Sequence, residues 1–406
     1  MNFLKELTED ELTGVAFKNM NLKKNIIRLL DIQEKATISD LGKEFNVSAP
    51  KITSIINELI EEGMVMDYGK IESTGGRRAN LFGLANDSGY FVGVEVKKYS
   101  VSLGLLDFKK NLIRVEDNSN FVLENTKESL LSLITIIKDF IERIHISRDK
   151  ILSIGINLTG RINYATGYSF SYYHFDEDPL SKIIERELGI KTYLDNDSRA
   201  MAFGEFCIGV VKSEKNVLFI NLDYGIGIGI MIEGQLYYGK SGFSGEFGHI
   251  PFFDNEIICH CGKKGCLETE ASGQALIKKF QEKRKAGFGS ILPTAGKKIE
   301  EITLEDIVMA CNQDDMLAIE CIADIGEKLG KAIAMLINIF NPELVILGGL
   351  LSTTNDYIRL PIKSALNKYS LSLVSNDTQL KISKLGARAG VNGACLLVRN
   401  KLLSVS

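Results

Sequence analysis

Three cysteines and two histidines fall inside one short stretch, "GHIPFFDNEIICHCGKKGCLE" at 248–268, among them His249, Cys259, Cys261 and Cys266. Thiolates and imidazole are what Zn2+ takes in a closed tetrahedral site, and four protein ligands leave no open position for catalysis by the metal. Gly262 and Gly265 let the backbone turn tightly enough to aim sulfur inward. His260 stands between two of the cysteines and is the fallback fourth ligand. The competing reading is a set of unliganded buried thiols, but the crowding of sulfur favours a structural Zn2+. Such an ion would staple a long polar loop with little apolar material of its own.

The whole chain bounds what that loop can serve. At 406 residues it exceeds one small core, so two or three domains are expected. Composition is that of a globular protein, 45% hydrophobic and 25% charged. A formal net charge of −4 gives no global basic field, so any nucleic-acid surface must be local. The start, "MNFLKELTEDELTG", carries acids early and no apolar h-region, which argues against a signal peptide. The run "AIAMLINIF" is too short to span a bilayer. Seven cysteines, an odd number with three crowded together, do not read as a secreted disulfide framework. The expectation is a cytoplasmic protein with no membrane partner.

The elements that must position these groups change character near residue 85. From about Asn21 to Leu84 the pattern is helical and then a short hairpin, with Leu22, Ile26, Leu29 and Leu30 at helical spacing. "ISDLGKEF" fits a second helix capped by Thr37 or Ser39, and a third begins after "NVSAP" with Ser48 as its cap and Pro50 in its first turn. In that third helix Ile52, Ile55, Ile56, Leu59 and Ile60 form one apolar stripe. The other face carries Ser48, Ala49, Lys51, Thr53, Ser54 and Asn57, small or hydrogen-bonding residues suited to base edges in a major groove. Two strands follow around a turn with Gly75, Gly76, Arg77 and Arg78, a wing able to contact phosphates or a narrow minor groove. The alternative is a three-helix interaction module, since acids and bases roughly balance over residues 1–85. The wing and its paired arginines favour DNA.

After the short linker "LANDSG", strands alternate with amphipathic helices, placing residues 86–406 in the α/β class. "YFVGVEV" and "SVSLGLLD" read as a hairpin, a helix is expected near 126–144, and "ILSIGINL" is a further strand. "VLFINLDYGIGIGIMI" reads as two strands with glycines between them, and "ELVILGG" follows a long helix near 316–340.

"LDYGIGIGIMIEGQLYYGKSGFSGEFGHI" running into "CHCGKKGCLE" resembles the signature of the ROK family of repressors and sugar kinases. The amino-terminal helices ending in "GGRR" are similar to the NagC/XylR-type repressor branch of that family. The resemblance spans essentially residues 20–400. It implies a winged helix-turn-helix followed by a two-lobed, actin-like ATPase fold built on ribonuclease-H-like sheets. The domains expected are the head at 1–85, a small lobe at 86–196 with about 385–406, and a large lobe at 197–384 with the zinc loop. It also implies Zn2+ on His249, Cys259, Cys261 and Cys266. By motif, Asn196 and Asp197 of "YLDNDSRAMAFGE", Glu246 and His249 of "GEFGH", and Glu268 of "CLE" would bind a monosaccharide or sugar phosphate. Carboxylates and an amide can pair with several vicinal hydroxyls in one cleft. Asp197 or Ser198 also suits the cap of the helix "RAMAFGEF".

The family's kinases open their catalytic domain with an Asp-x-Gly-Gly-Thr turn. Here Glu95 stands for the Asp, and Lys97–Lys98 replace the glycine pair, so phosphate cannot approach the backbone closely. Thr159 likewise stands where Pro is usual, with Gly160 kept. "DYGIGIG" at 223–229 and "LVILGGLLS" at 344–352 retain their glycines, which close strand packing also explains. The expectation is a non-catalytic, sugar-responsive repressor that binds operator DNA as a homodimer or tetramer. The alternative is an ATP-dependent sugar kinase. A third class, a protein-interaction sensor, rests on repressors of the family that answer to a transport protein.

Overall fold

The computed structural model describes residues 14–70, 79–293 and 296–403. These fall into two compact units, Met1–Asp195 with Ala394–Ser406, and Asn196–Gly393.

The first unit begins with helix α1 (Gly14–Gln33) and the short strand β1 (Lys35–Ala36). Helix α2 (Ile38–Phe45) starts at Thr37, whose hydroxyl accepts the Asp40 N–H while Asp40 receives the Thr37 N–H, a closed capping box. Helix α3 (Ala49–Glu61) starts with Pro50 in its first turn; Ser48 occupies the cap position but makes no side-chain cap bond. Ile52, Ile55, Ile56 and Leu59 are fully buried, whereas Ile60, expected on the same stripe, is only half-buried. Strands β2 (Val65–Lys70) and β3 (Asn80–Leu84) pair antiparallel in a sheet ordered β1-β3-β2. Lys23 of α1 is buried and bonds Glu58 at 3.1 Å and Glu62 at 3.2 Å, tying α1 to α3 and its C-cap.

Next come β4 (Tyr90–Val96), β5 (Val101–Asp107), β6 (Leu112–Asn118), helix α4 (Lys127–Arg143) and β7 (Ile151–Leu158). The short pair β8 (Ile162–Asn163) and β9 (Tyr168–Ser169) forms its own two-stranded sheet; helix α5 (Leu180–Leu188) follows, and β10 (Thr192–Asn196) completes a five-stranded sheet ordered β10-β7-β4-β5-β6. The expected hairpin is the antiparallel β4–β5 pair, and β4 also pairs parallel to β7.

The second unit starts with helix α6 (Asp197–Ile208), then β11 (Val217–Leu222), β12 (Ile226–Ile232) and β13 (Gln235–Leu236). Helices α7 (Glu268–Ala271), α8 (Gly273–Lys285), α9 (Leu304–Cys311) and α10 (Met316–Phe340) precede β14 (Leu344–Gly348). Helices α11 (Asp356–Tyr369) and α12 (Ser372–Asp377) and strand β15 (Gln379–Ile382) follow. The sheet order is β13-β12-β11-β14-β15. Counted from its own first strand, each five-stranded sheet therefore runs 3-2-1-4-5, its first strand antiparallel to the second and parallel to the fourth. The mixed α/β fold and its repetition are those of the ribonuclease-H-like, actin-like ATPase class. The last helix is α13 (Ala389–Leu403).

Each unit has its own core. In the first, Val92, Val94 and Ile154 pack with Ile137 and Phe140 of α4; in the second, Ile220 and Leu222 pack with Phe280, Ile322 and Ile333. Burial of such branched and aromatic side chains supplies the main stabilisation. Among the described residues no helix is long and apolar enough to cross a membrane.

Candidate metal centre and ligand site

The cysteine loop hangs between Phe247–His249, a single 3-10 turn, and α7. Isolated bridges Pro251↔Cys266 and Ile258↔Lys264 fold it back on itself. Cys259 N–H bonds the Lys263 carbonyl and Gly262 N–H bonds the Cys259 carbonyl, closing the tight turn between the first two thiols. Gly265 has φ +65°, and a side chain there would meet the Phe253 carbonyl oxygen at 2.0 Å, so only glycine fits. Leu267, fully buried, anchors the end of the loop in the core.

The turn brings one ligand atom each of His249, Cys259, Cys261 and Cys266 within 4.8 Å of one another. Cys259 Sγ is 3.5 Å from His249 Nδ1, and the sulfurs of Cys261 and Cys266 are 3.6 Å apart. Burial pushes the Cys259 thiol up to about 12. Burial also acts on Cys261, but the Lys263 amide and the neighbouring thiols outweigh it and pull that thiol down. Three thiols and an imidazole at this spacing fit a tetrahedral metal site. His260 Nδ1 lies 3.0 Å from Glu268 Oε1 and 3.8 Å from Cys259 Sγ, its ring edge-on to His249, and it groups with His249 and Glu268.

Glu268 joins the loop to the glycine strand. Its Oε1 meets His260, and its Oε2 accepts the Ile226 backbone N–H at 3.3 Å. Burial would raise this carboxyl, yet the His260 contact wins and holds it below the usual range. Glu246 Oε2 stands 3.9 Å from His249 Nε2, the nitrogen turned away from Cys259.

Asn196 and Asp197 sit at the amino end of α6. Asn196, not Asp197 or Ser198, is the cap: its side-chain oxygen accepts the N–H groups of Ser198 and Arg199. Its amide donates to Asp197 Oδ1 at 2.9 Å. Helix α6 lies on β12 at the alternate positions Gly227 and Gly229; a side chain at Gly227 would meet Ser198 Oγ at 2.0 Å. One residue pair earlier, the space beside Gly225 is filled by Glu268 Oε2. The start of β12 thus packs on Ser198 in the first turn of α6, and Glu268 fills the space beside Gly225 just before the strand. Sequence reading did not foresee Arg199, buried at 4% exposure, which donates to the Gly242 carbonyl at 2.8 Å and fixes the segment before "GEFGH".

The glycine turns are closed by the chain's own carboxylates. Asp223 accepts the Tyr224 N–H at 2.8 Å and the Leu350 N–H at 3.4 Å, while the Gly273 and Gln274 N–H groups hold the Asp223 and Tyr224 carbonyls. Backbone donors that would cradle phosphate are engaged at Ile226 and Leu350. The acid in "LDYG" was the available signal for this. In the first unit Glu95, 1% exposed on β4, pairs with Lys97 Nζ at 3.5 Å, and the Lys97 and Lys98 backbones bond Ser100 and Leu123.

In α3, Ser48, Ala49, Thr53, Ser54 and Asn57 are exposed and Lys51 is half-buried. Arg77 and Arg78 lie outside the described residues.

Residues 92–401 match the profile described as "ROK family". The chain is 29% identical over 394 residues to a xylose repressor of Caldicellulosiruptor bescii, covering 95% of this chain and 98% of that protein. Among solved structures it is similar to a ROK family transcriptional regulator, a homologue of the Escherichia coli MLC protein, with TM-score 0.79 and 28% identity over 95% of this chain and 96% of that one. It is also similar to a ROK family glucokinase of Streptomyces griseus in complex with glucose and AMPPNP, with TM-score 0.69 and 25% identity over 76% and 99% of the two chains.

Proposed function

The chain belongs to the ROK family, and from that premise we propose that it is a non-catalytic, sugar-responsive transcriptional repressor of carbohydrate-metabolism genes. Its working parts are a DNA-reading head at 1–85, a small lobe at 86–196 with about 385–406, and a large lobe at 197–384. The observation that carries the reading is the pairing of two features. An α3 face of small polar residues is left exposed, and the body's glycine turns are closed by Asp223 and Glu268.

Helix α3 would enter the major groove with Thr53, Ser54 and Asn57 toward base edges, and Arg77 and Arg78 would contact phosphates or the minor groove. Two heads on a two-fold axis, in a homodimer or a tetramer, would read half-sites about one helical turn apart or a multiple of it. Asn196, Asp197, Glu246, His249 and Glu268 would bind a monosaccharide or sugar phosphate by accepting and donating to its hydroxyls. His249, Cys259, Cys261 and Cys266 would hold Zn2+, which when bound supplies a closed structural staple and no catalytic position. Through His249 and the loop ending at Glu268, that staple would orient the sugar-binding groups. Sugar changes DNA affinity only by binding two arrangements unequally; inverting a 1:99 population takes about 5.5 kcal/mol. The chain would work in the cytoplasm.

The test is a gel shift on the DNA upstream of the chain's own gene, with and without D-xylose, D-glucose and N-acetyl-D-glucosamine. Sequence-selective, salt-sensitive binding that a sugar alters is expected; its absence sinks the reading. The kinase alternative requires ATP turnover with one of these sugars that disappears in Asp197→Ala.

A further inference from the structure

We propose that Arg399 is the positioning residue of the amino-terminal head, clamping Asp31 of α1, and that this clamp passes the body's ligand state to α3. The proposal rests on the repressor reading above.

Arg399 is 4% exposed near the end of α13. Its Nη1 and Nη2 reach the two oxygens of Asp31 at 3.1 and 2.7 Å, a bidentate pair, and its Nε donates to the Phe108 carbonyl at 2.9 Å. A planar guanidinium held on three acceptors is fixed in direction as well as place. Lys110 Nζ adds a second cation on Asp31 Oδ2 at 2.7 Å. Lys110 lies in the β5–β6 turn with φ +69°, a left-handed conformation that a lysine rarely adopts. From the same turn Lys109 donates to the Tyr68 hydroxyl at 3.2 Å, on β2. One turn and one arginine thus hold both α1 and the hairpin of the head.

The other end of α13 has no slack. A side chain at Gly393 would meet the Ala200 carbonyl oxygen of α6 at 1.8 Å, and one at Gly204 of α6 would meet the Ala389 carbonyl oxygen at 2.9 Å. Further along, a side chain at Gly155 of β7 would meet the Ala394 carbonyl oxygen at 2.3 Å. Helix α6 begins at the Asn196–Asp197 pair. The Asn196–Asp197 pair, α6 and its glycine contact to the start of α13 lie in the second unit, while Arg399, Asp31, α1 and Lys23 lie in the first. Lys23 grips Glu58 and Glu62 at the end of α3. Packed backbone contacts and a bidentate ion pair are the kinds of contact through which coupling between distant sites travels.

The test compares full-length wild type with Asp31→Asn, Arg399→Met and the double variant; Asp31→Asn keeps the side-chain shape should Arg399→Met fold poorly. Amide hydrogen exchange without ligand reads the clamp. Each single change is expected to speed exchange across Gly14–Gln33 at least tenfold and leave Lys127–Arg143 unchanged, with the double variant no faster than the faster single. Gel shifts with and without D-xylose, D-glucose or N-acetyl-D-glucosamine read the coupling. The fold-change that a sugar produces in wild type is expected to fall below twofold in each variant, while the sugar still raises the melting midpoint. A merely structural role would weaken DNA binding equally with and without sugar and keep that ratio. An unchanged ratio, or unaltered exchange in α1, overturns the proposal. Wild type that ignores both DNA and every sugar overturns instead the repressor reading, and the exchange result still decides whether the clamp exists.

Discussion

The Ile226 backbone N–H donates to Glu268 Oε2 at 3.3 Å, so the residue that ends the cysteine loop is bonded to the first residue of the glycine strand. A change in the loop therefore reaches the strand that packs on Ser198 and Ala202 of α6.

Metal content tests the loop. Purified protein is expected to hold about one zinc per chain by elemental analysis, and Cys266→Ala to lose it, because three remaining ligands do not close the tetrahedron. The melting midpoint should fall by several degrees, since the loop loses its staple. A metal-free wild type of unchanged stability would remove the loop's assigned role.

Glu268→Gln keeps shape but halves the acceptor strength and breaks the charged contact with His260. Sugar affinity by calorimetry is expected to drop about tenfold to a hundredfold, the loss of one or two charge-assisted hydrogen bonds. Zinc content should stay the same, which separates sugar contact from loop folding.

In the head, Asn57→Ala is expected to cost about 1–3 kcal/mol of sequence discrimination and leave non-specific binding unchanged. Arg77→Ala should weaken binding to all sequences and reduce the salt dependence. Competition gel shifts at several salt concentrations distinguish the two.

Glu214 gives a pH signature. Backbone N–H groups of Lys212 and Ser213 and the Lys381 ammonium hold its carboxyl at about 2, against an ordinary value of 4.5. The folded form thus prefers the charged state. The stabilisation is fully present above about pH 4.5 and is lost as pH falls toward 2. Glu214→Gln should cost about 2 kcal/mol at pH 7, and its melting curve should converge on wild type near pH 2. A constant difference at every pH would show that the anchor is not electrostatic.

Local pattern made much of this readable. The isoleucine stripe of α3, the Thr37 cap and the β4–β5 hairpin follow from side-chain periodicity and turn chemistry, which act over a few residues. The gathering of His249, Cys259, Cys261 and Cys266 was legible for the same reason: loop closure over so few residues brings those side chains together. Ser48 and Ile60 departed from expectation because capping geometry and burial at a helix end depend on neighbours the periodicity does not see.

By itself the amino-acid order determined which elements form, where sulfur and imidazole gather, and that lysines replace glycines in one phosphate turn. Only the tertiary structure decided that Asp223 reaches Leu350 and that Arg399 reaches Asp31. The first group depends on contacts between near neighbours in the chain. The second joins residues up to 368 positions apart, in the case of Asp31 and Arg399, and such pairs are set by how sheets and helices pack.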